Sequence, residues 1–291
     1  MKISIVIPNW NGEAKLAKNL PKVLATKGIE EFIVVDDAST DNSLLVLEKF
    51  PSIKIIKRAK NGGFASTVNI GVAEASGDVI YLVNSDAVPG QESALTAIKH
   101  FDDPRVFSVS CNSGGNWSWI KFKDGFLWHF KSESETETHQ TLWASGGGGL
   151  FRKKTWDELG GLDELFSPFY EEDTDLGYRA TKRGFVNIWD KDAIIEHYKE
   201  KGVIEEHFSK REVAAVAQRN QLYLIWKNIT DSNLLNQHIL GLIKTTITHP
   251  KYLFVIFSAL VNLTSVLQKR QMEKSFSKLT DREILDKYPS S

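Results

Sequence analysis

Four short runs of β-branched and other apolar residues recur through the first hundred residues and constrain the fold more than any other feature of the sequence. They cover residues 3–8, 31–36, 53–57 and 79–83. Each run precedes a turn and a stretch with apolar residues at helical spacing, such as Leu16, Leu20 and Val23. This alternation predicts an α/β fold in which helices flank a mostly parallel central sheet.

Polar or acidic residues follow each of the four predicted strands. These segments are Asn9-Trp10-Asn11-Gly12, Asp36-Asp37-Ala38-Ser39, Asn61-Gly62-Gly63-Phe64 and Asn84-Ser85-Asp86. Ligands of open α/β sheets bind at the carboxyl ends of the strands. The sequence therefore predicts a ligand-binding crevice lined by these four segments.

Asn84 and Asp86 form the first group of candidate chemical residues. Residues two apart on a strand point to the same side, so both side chains project into the predicted crevice. A hard divalent cation takes one or two carboxylates together with substrate phosphate oxygens, so Asp86 is a candidate ligand for Mg²⁺ or Mn²⁺. An Asx turn that closes the strand before Pro89 explains the pair equally well.

A second group of acids, in Glu171-Glu172-Asp173-Thr174-Asp175, stands at the start of a helix predicted over residues 172–182. The helix dipole favours negative charge there, which is a structural explanation. Mutual repulsion would also raise some of the carboxyl pKa values and create a general base for a hydroxyl group. Arg179 follows Asp175 by four residues, so we predict a structural ion pair for Asp175.

The middle of the chain departs from the strand and helix alternation. Beyond a fifth strand over 105–111, Asp124-Gly125 predicts a hairpin of residues 117–123 and 126–131. One hairpin face is aromatic and carries Trp117, Trp119, Phe126, Trp128 and Phe130. This face either packs on the main sheet or offers a platform on which a sugar ring can stack. Residues 132–141 indicate a solvated loop, either a lid or a plain surface loop.

Four consecutive glycines, Gly146 to Gly149, permit close approach of the backbone to a ligand but do not form a dinucleotide-binding fingerprint. A helix is predicted over 153–159. A last strand, predicted over 185–189, leads to Glu196-His197.

Beyond residue 205 the sequence predicts a helical extension. A helix is expected over 206–226, and two apolar helices follow within 234–267. The longest apolar tract, 252–267, is shorter than the roughly 20 residues of a membrane-spanning helix. The apolar helices form an internal subdomain, a dimer interface, or a surface that rests on an anionic membrane. Cations that would favour the membrane are Lys244, Lys251, Lys269 and Arg270.

The charge balance excludes a broad class of partners. The 291 residues carry 36 Lys and Arg against 37 Asp and Glu, so the formal net charge is −1. Nucleic-acid binding needs clustered cations, so no nucleic-acid partner is expected.

Cys111, the only cysteine, excludes a disulfide framework and fits a reducing compartment. Since Met1-Lys2 leads into a run too short for an export signal, we expect a cytoplasmic location, with contact to the inner face of the membrane as an extension of it.

Together these segments resemble a family 2 glycosyltransferase of the GT-A fold, in the bacterial surface-polysaccharide branch that includes rhamnosyltransferase-like enzymes. The resemblance covers about residues 3–202. It rests on Val6-Ile7-Pro8-Asn9-Trp10-Asn11, Val34-Val35-Asp36-Asp37-Ala38-Ser39-Thr40-Asp41, Asn61-Gly62-Gly63-Phe64-Ala65 with Asn69 and Gly71, Asn84-Ser85-Asp86, Gly160-Gly161-Leu162-Asp163-Glu164, Glu172-Asp173-Thr174-Asp175-Leu176 and His197. It implies a Rossmann-like sheet within a catalytic domain over 1–204, made of a nucleotide-binding half (1–110) and an acceptor-binding half (111–204). A helical region over 205–291 follows.

The resemblance also implies roles for individual residues. Donor-binding residues would be Pro8, Asn9, Asn11, Asp36, Asp37, Asn61, Gly63, Phe64, Asn69, Asn84 and Ser85. Trp143, Gly147 and Gly148 would contact the acceptor. Asp86 would hold the divalent cation, and His197 would be either a second ligand or a structural histidine. Asp173 would remove the proton of the acceptor hydroxyl, with Glu172 beside it.

The implied activity is an inverting transfer of a sugar from a UDP- or dTDP-sugar to a hydroxyl of a saccharide or polyprenyl-linked acceptor. The sequence departs from the family pattern at Asn84, where the metal-binding motif usually begins with an aspartate. One negative charge less implies weaker metal affinity, while dependence on the metal remains expected.

Two other functions are open on the sequence alone. A sugar-phosphate nucleotidyltransferase shares the nucleotide-binding architecture but needs a cationic loop after the first strand, which Asn9-Trp10-Asn11-Gly12 does not provide. A non-catalytic sugar-nucleotide-binding or scaffold protein would not need both Asp86 and Asp173. Release of nucleoside diphosphate from a sugar donor distinguishes transfer from both.

Overall fold

The four predicted β-branched runs form the parallel half of the central sheet. The computed structural model describes residues 1–114, 118–131, 137–197 and 203–287. Its strands are β1 (Ile3–Asn9), β2 (Glu31–Asp36), β3 (Ile53–Lys57), β4 (Val79–Val83), β5 (Ala87–Pro89), β6 (Val106–Asn112), β7 (Ser118–Lys123), β8 (Phe126–Lys131), β9 (His139–Thr141), β10 (Gly148–Arg152) and β11 (Val186–His197). The sheet order is β3-β2-β1-β4-β10-β6-β11-β5, with β9 beside β11 and with β7 and β8 as a separate hairpin.

Helices flank this sheet and build the C-terminal extension. They are α1 (Glu13–Val23), α2 (Ser43–Leu47), α3 (Phe64–Ala73), α4 (Ser93–Ala97), α5 (Lys153–Leu159), α6 (Glu172–Lys182), α7 (Val203–His207), α8 (Lys210–Asn228), α9 (Ser232–Thr248), α10 (Tyr252–Leu260), α11 (Leu263–Phe276) and α12 (Asp281–Leu285). The predicted α/β fold, with a largely parallel sheet, flanking helices and a helical extension, is confirmed.

Alternation along β1 divides the core into two layers, one on each face of the sheet. Ile3, Ile5 and Ile7 are buried with Leu16 and Leu20 of α1. Val6 points the other way and is buried with α3 and α5. Because both faces are covered, the strand is apolar at almost every position, as buried parallel strands are. Because β1 is buried on both faces, its carboxyl end, where the polar residues begin at Asn9, is held at the edge of the sheet.

The second half of the sheet contains strands that the sequence analysis did not predict. β10 begins within the glycine run and lies antiparallel between β4 and β6. A Cβ on Gly149 would lie 2.7 Å from the Ser145 carbonyl oxygen, so only glycine fits this position. β11 extends past residue 189 to His197 because its end pairs with the unpredicted β5. Of the predicted loop 132–141, residues 132–136 lie outside the described residues, and β9 occupies its end.

The hairpin of β7 and β8 is present as predicted, but its aromatic face packs against the C-terminal helices and not against the main sheet. Trp119 and Phe126 are buried in a third core together with residues of α8 and α12, and Trp119 Nε1 donates a hydrogen bond to the Ile284 carbonyl at 3.0 Å. Trp128 is 54% exposed, and Trp117 lies outside the described residues. The packing partner is more than ninety residues away in sequence, so the local pattern could not reveal it.

Candidate functional site

A cavity of about 550 Å³ lies at the carboxyl ends of β1 and β4, beside the start of α6. Twelve predicted site residues line it: Pro8, Asn9, Asp37, Asn61, Gly63, Phe64, Asn84, Ser85, Asp86, Gly147, Glu172 and Asp173. The fold thus brings the predicted donor-side segments and the acidic helix start together in one cavity, although they are up to 165 residues apart in sequence.

Several lining residues were not predicted as site residues. They are Trp10, Thr67, Ser145, Gly146, Pro168, Phe169, Tyr170, Ile204 and Phe208. Trp10 and Gly146 stand inside segments that the sequence analysis singled out, so proximity to those motifs was the available signal. Ile204 and Phe208 had no such signal. Phe208 packs edge-on against Phe169 at the cavity wall, with ring centroids 5.0 Å apart, and Ile204 lines the cavity from α7.

Six predicted site residues do not line the cavity: Asn11, Asp36, Asn69, Trp143, Gly148 and His197. The Asn69 amide donates to the Leu162 carbonyl at 2.8 Å and accepts from the Leu162 amide at 3.0 Å, so it ties α3 to the loop after α5. The ring of Trp143 packs edge-on against His129 at 5.1 Å. The roles predicted for these six residues in binding donor, acceptor or metal stay predictions.

Two adjacent aspartates shape the donor side of the cavity in different ways. Asp36 accepts hydrogen bonds from Asn9 Nδ2 at 2.9 Å and from the Ser39 amide at 3.1 Å, and it is buried behind Asn9. Asp37 accepts from the amides of Gly62 and Gly63, each at 3.0 Å, and pairs with Arg58 at 2.8 Å. Asp37 therefore fixes the glycine loop after β3 at the cavity wall, while Asp36 orients Asn9.

Asp86 has the environment of a metal ligand. Its Oδ1 atom is buried and has no hydrogen-bond partner in the described part of the protein. His197 pairs with Ala87 across β11 and β5, so it lies next to Asp86. A Cβ on Gly147 would lie 2.5 Å from Asn84 Nδ2 and 3.3 Å from His197 Cε1, so this glycine lets both side chains approach.

Within the described ranges, no three His, Cys, Asp or Glu side chains are grouped as a complete metal cage. Mg²⁺ usually takes one or two carboxylates and completes its coordination with water and substrate phosphate oxygens. The unpaired carboxylate oxygen of Asp86 thus fits a divalent cation that binds together with a diphosphate.

Glu172 and Asp173 form an acid pair at the inner end of the cavity. Burial raises the pKa of Glu172 well above its usual value, and the neighbouring Asp173 raises it further. Burial also raises the pKa of Asp173, opposed by hydrogen bonds from the amides of Gly146 and Thr174 at 3.4 and 2.8 Å. The raised pKa favours the neutral form of Glu172, whereas the two amide hydrogen bonds favour the carboxylate of Asp173, so Asp173 is the better candidate for a base.

Asp175 is a structural residue, as predicted. It is fully buried and accepts hydrogen bonds from Arg179 Nε at 2.7 Å and from Lys227 Nζ and Asn228 Nδ2, each at 2.8 Å. The nearby cations lower its pKa although burial alone would raise it. The predicted pair with Arg179 is confirmed, and Lys227 of α8 extends it into a buried network that joins α6 to the C-terminal helices.

The backbone before α6 is held in an uncommon conformation by α8. Tyr170 and Glu171 both have positive φ values, 73° and 74°, which costs of order 1–3 kcal/mol for residues other than glycine. Asn220, fully buried on α8, donates its Nδ2 hydrogens toward the carbonyls of Phe166, Phe169 and Tyr170 at 2.6 to 3.0 Å. One side chain of α8 thus holds the segment that leads into α6 and its acid pair.

We expect Asn220→Ala to lower the free energy of unfolding by about 3 kcal/mol, because it leaves buried carbonyl groups without a donor. Equilibrium denaturation in urea measures this. Asn236→Ala, which changes an exposed asparagine of α9, is the matched control and should change stability by less than about 0.5 kcal/mol. Equal stability of the two variants would contradict the role of Asn220.

The comparison with known families gives a match over more than half of the chain. The sequence model described as "Glycosyl transferase family 2" matches residues 4–160. The chain is 32% identical over 127 residues to a dolichol-phosphate mannosyltransferase of Pyrococcus furiosus, which corresponds to 41% of the chain and 36% of that relative. The chain therefore spans about a third of the length of this relative.

Solved structures share the fold. A crystal structure of GalNAc-T7 with UDP, GalNAc and Mn²⁺ superposes with a TM-score of 0.64 at 15% identity, covering 78% of the chain and 48% of that structure. Residues 1–349 of Staphylococcus aureus TarS in complex with UDP-GlcNAc give a TM-score of 0.59 at 19% identity, covering 94% of the chain and 81% of that structure. At these identities the likeness concerns the fold alone.

Proposed function

Because the chain belongs to glycosyl transferase family 2, we propose that it transfers a sugar from a nucleotide-diphosphate sugar to a hydroxyl group of an acceptor. The single observation that carries this proposal is the placement of Asp86 and the Glu172–Asp173 pair in one cavity. Such a transfer needs a carboxylate that binds a cation at the leaving diphosphate. It also needs a separate base that removes the proton of the acceptor hydroxyl.

The donor would lie along the carboxyl ends of β1 and β4. Asn9 offers a buried Oδ1 atom without a partner in the described residues, which can accept a hydrogen bond from the nucleotide. A divalent cation at Asp86 would neutralise charge on the departing diphosphate. We propose a UDP- or dTDP-sugar as the donor and Mn²⁺ or Mg²⁺ as the cation. Solved structures with this fold hold UDP or UDP-GlcNAc, and one of them holds Mn²⁺.

The acceptor hydroxyl would approach Asp173. Its oxygen forms a bond to the anomeric carbon, its proton passes to the Asp173 carboxylate, and the bond between the anomeric carbon and the diphosphate oxygen breaks. Attack from the face opposite the leaving diphosphate inverts the configuration in one displacement. The Gly146 and Thr174 amides hold the carboxylate in place for this step.

We propose a saccharide or polyprenyl-linked saccharide as the acceptor, in the synthesis of a cell-surface polysaccharide at the cytoplasmic side of the membrane. The resemblance to the surface-polysaccharide branch supports this, as does the name of the Pyrococcus relative, which denotes a lipid phosphate acceptor. A protein whose single cysteine is buried and reduced fits that compartment.

Nucleoside diphosphate release tests the proposal. The purified protein is incubated with UDP-, dTDP- and GDP-sugars, Mn²⁺ or Mg²⁺, and a panel of saccharide and polyprenyl-phosphate acceptors. We expect acceptor-dependent release of one nucleoside diphosphate, with inversion at the anomeric carbon seen by NMR. Pyrophosphate release from a nucleoside triphosphate and a sugar phosphate would indicate a nucleotidyltransferase, and donor binding without turnover would indicate a binding protein.

A further inference from the structure

The outer faces of α9 and α10 expose large apolar side chains. On α9 these are Ile239, Ile243 and Ile247, four residues apart, and on α10 Phe254, Phe257 and Leu260, three residues apart. These spacings place each set on one side of its helix. Exposed fractions reach 74% for Ile247 and 76% for Phe254. We call these six residues the docking face.

The opposite faces of the C-terminal helices are fixed to the protein. Ala259 and Val266 are fully buried in the core that contains α8. Arg270 donates a hydrogen bond to the Trp226 carbonyl at 2.8 Å, and Arg183 pairs with Glu273 at 2.8 Å, where both side chains are buried. The C-terminal helices are therefore already packed against the protein through their inner faces, and the docking face lies on their outer surface.

In the described part of the chain, no single helix has the length and apolar composition to cross a bilayer, but α10 and α11 together meet both criteria with a bend of 67° between them. If α10 and α11 crossed a bilayer, Glu273 on α11 would have to separate from Arg183, and their buried ion pair would break. Removing one partner of such a pair leaves an uncompensated charge, which is strongly unfavourable. The geometry favours a helix layer that lies on a bilayer over one that crosses it.

The charges around the docking face select its partner. Residues 232–272 contain no Asp or Glu. Lys244 and Lys251 are exposed and stand beside the apolar positions, whereas Lys269 is turned inward and pairs with Asp163 at 3.1 Å. An apolar face bordered by cations matches anionic lipid headgroups over acyl chains. A second copy of the same face would bring further cations to the contact and no carboxylate from residues 232–272 to pair with them.

We propose that the docking face binds peripherally to a bilayer that contains anionic lipids. Phenylalanine and isoleucine side chains enter the boundary between headgroups and acyl chains, and Lys244 and Lys251 contact the headgroups. Since α8 packs against α10 and α11 and its Asn220 holds the segment before α6, docking would orient the cavity relative to the lipid surface.

Vesicle flotation of the full chain tests the proposal without donor or acceptor, so its outcome is independent of the proposed activity. We expect co-flotation with phosphatidylcholine vesicles that contain phosphatidylglycerol, and at least tenfold weaker binding to phosphatidylcholine alone. F254S/F257S and, separately, K244E/K251E should each weaken binding to the anionic vesicles at least tenfold. L45S, which alters a leucine on α2 that is 59% exposed, close to the 62% of Phe257, is the matched control and should bind as the wild type does.

Circular dichroism and sedimentation velocity complete the test. All substituted positions are exposed, so the variants should keep the wild-type spectrum. The proposal would be overturned if the wild-type protein did not bind anionic vesicles. It would also be overturned if the F254S/F257S variant bound them as well as the wild type does. A wild-type dimer that F254S/F257S dissociates, without any vesicle binding, would assign the face to a second copy and overturn it as well.

Discussion

Replacing Asp173 with asparagine should lower kcat by about 10³-fold, the contribution expected of a general base. The side chain lines the cavity, and its two amide hydrogen bonds hold the carboxylate in one orientation. Asparagine keeps the shape but cannot accept the proton. The affinity for nucleoside diphosphate, measured by calorimetry, should stay near the wild-type value. Wild-type turnover with normal donor binding would show that another group is the base.

Glu172→Gln is the matched control, because burial raises the pKa of Glu172 and so favours its neutral acid form. Glutamine resembles that neutral acid, so kcat should change by less than about tenfold. The pKa of Glu172 is raised in the folded state, so its stabilising contribution is complete below the unfolded pKa and is lost as pH rises through the folded pKa. Glu172→Gln should therefore be more stable than the wild type on the alkaline side, as urea denaturation at several pH values can measure.

The pH profile of kcat distinguishes the two acids further. Since burial raises the pKa of Asp173, the active carboxylate form is lost at a higher pH than for an ordinary aspartate. We expect kcat to fall as pH falls through this pKa. Glu171→Gln should shift the fall to lower pH, because the Glu171 carboxylate raises the pKa of Asp173. Glu172→Gln should leave the fall in place, because glutamine resembles the neutral acid of Glu172. A fall that Glu171→Gln leaves unshifted would show that Asp173 is not the titrating group.

Asp86→Ala should reduce kcat/KM by about 10²-fold or more and abolish the dependence of the rate on Mn²⁺ or Mg²⁺. The variant removes the unpaired carboxylate oxygen that faces the predicted diphosphate position. Metal titration of initial rates measures the effect. Asp192→Ala, at an exposed acid 63% accessible to solvent, controls for non-specific loss of charge. An unchanged metal titration for Asp86→Ala would remove the metal assignment.

Asn84→Asp tests the same site in the opposite direction. Asn84 lines the cavity with Asp86, and an aspartate there would add a negative charge beside the cation. The concentration of Mn²⁺ that gives half-maximal activity should fall several-fold. A rise would indicate that the Asn84 amide, which lies against Gly147, has a positioning role that a carboxylate disrupts.

Much of the candidate site could be predicted because its parts are local motifs. Asp37, Asn84, Asp86 and Asp173 stand at strand ends or at a helix start, and such ends meet at one edge of a parallel sheet. Phe208 and Ile204 could not be predicted in this way. They reach the cavity through tertiary packing of α7 and the segment after it, and no local spacing encodes that contact.

The sequence by itself determined the parallel half of the sheet, the acidic groups at its edge and the ion pair of Asp175 with Arg179, because periodicity and short-range spacing encode them. Only the tertiary structure decided that Gly148 and Gly149 enter a strand, that the hairpin packs on α8 and α12, and that Asn220 holds the backbone before the acid pair. It also decided the pKa shifts of the two acids, because burial and the distance between charges set a pKa, and both depend on residues far apart in the chain. The docking face of α9 and α10 was also decided by the tertiary structure. Its apolar residues can be read in the sequence, but only the packing of the inner faces shows which of them stay exposed.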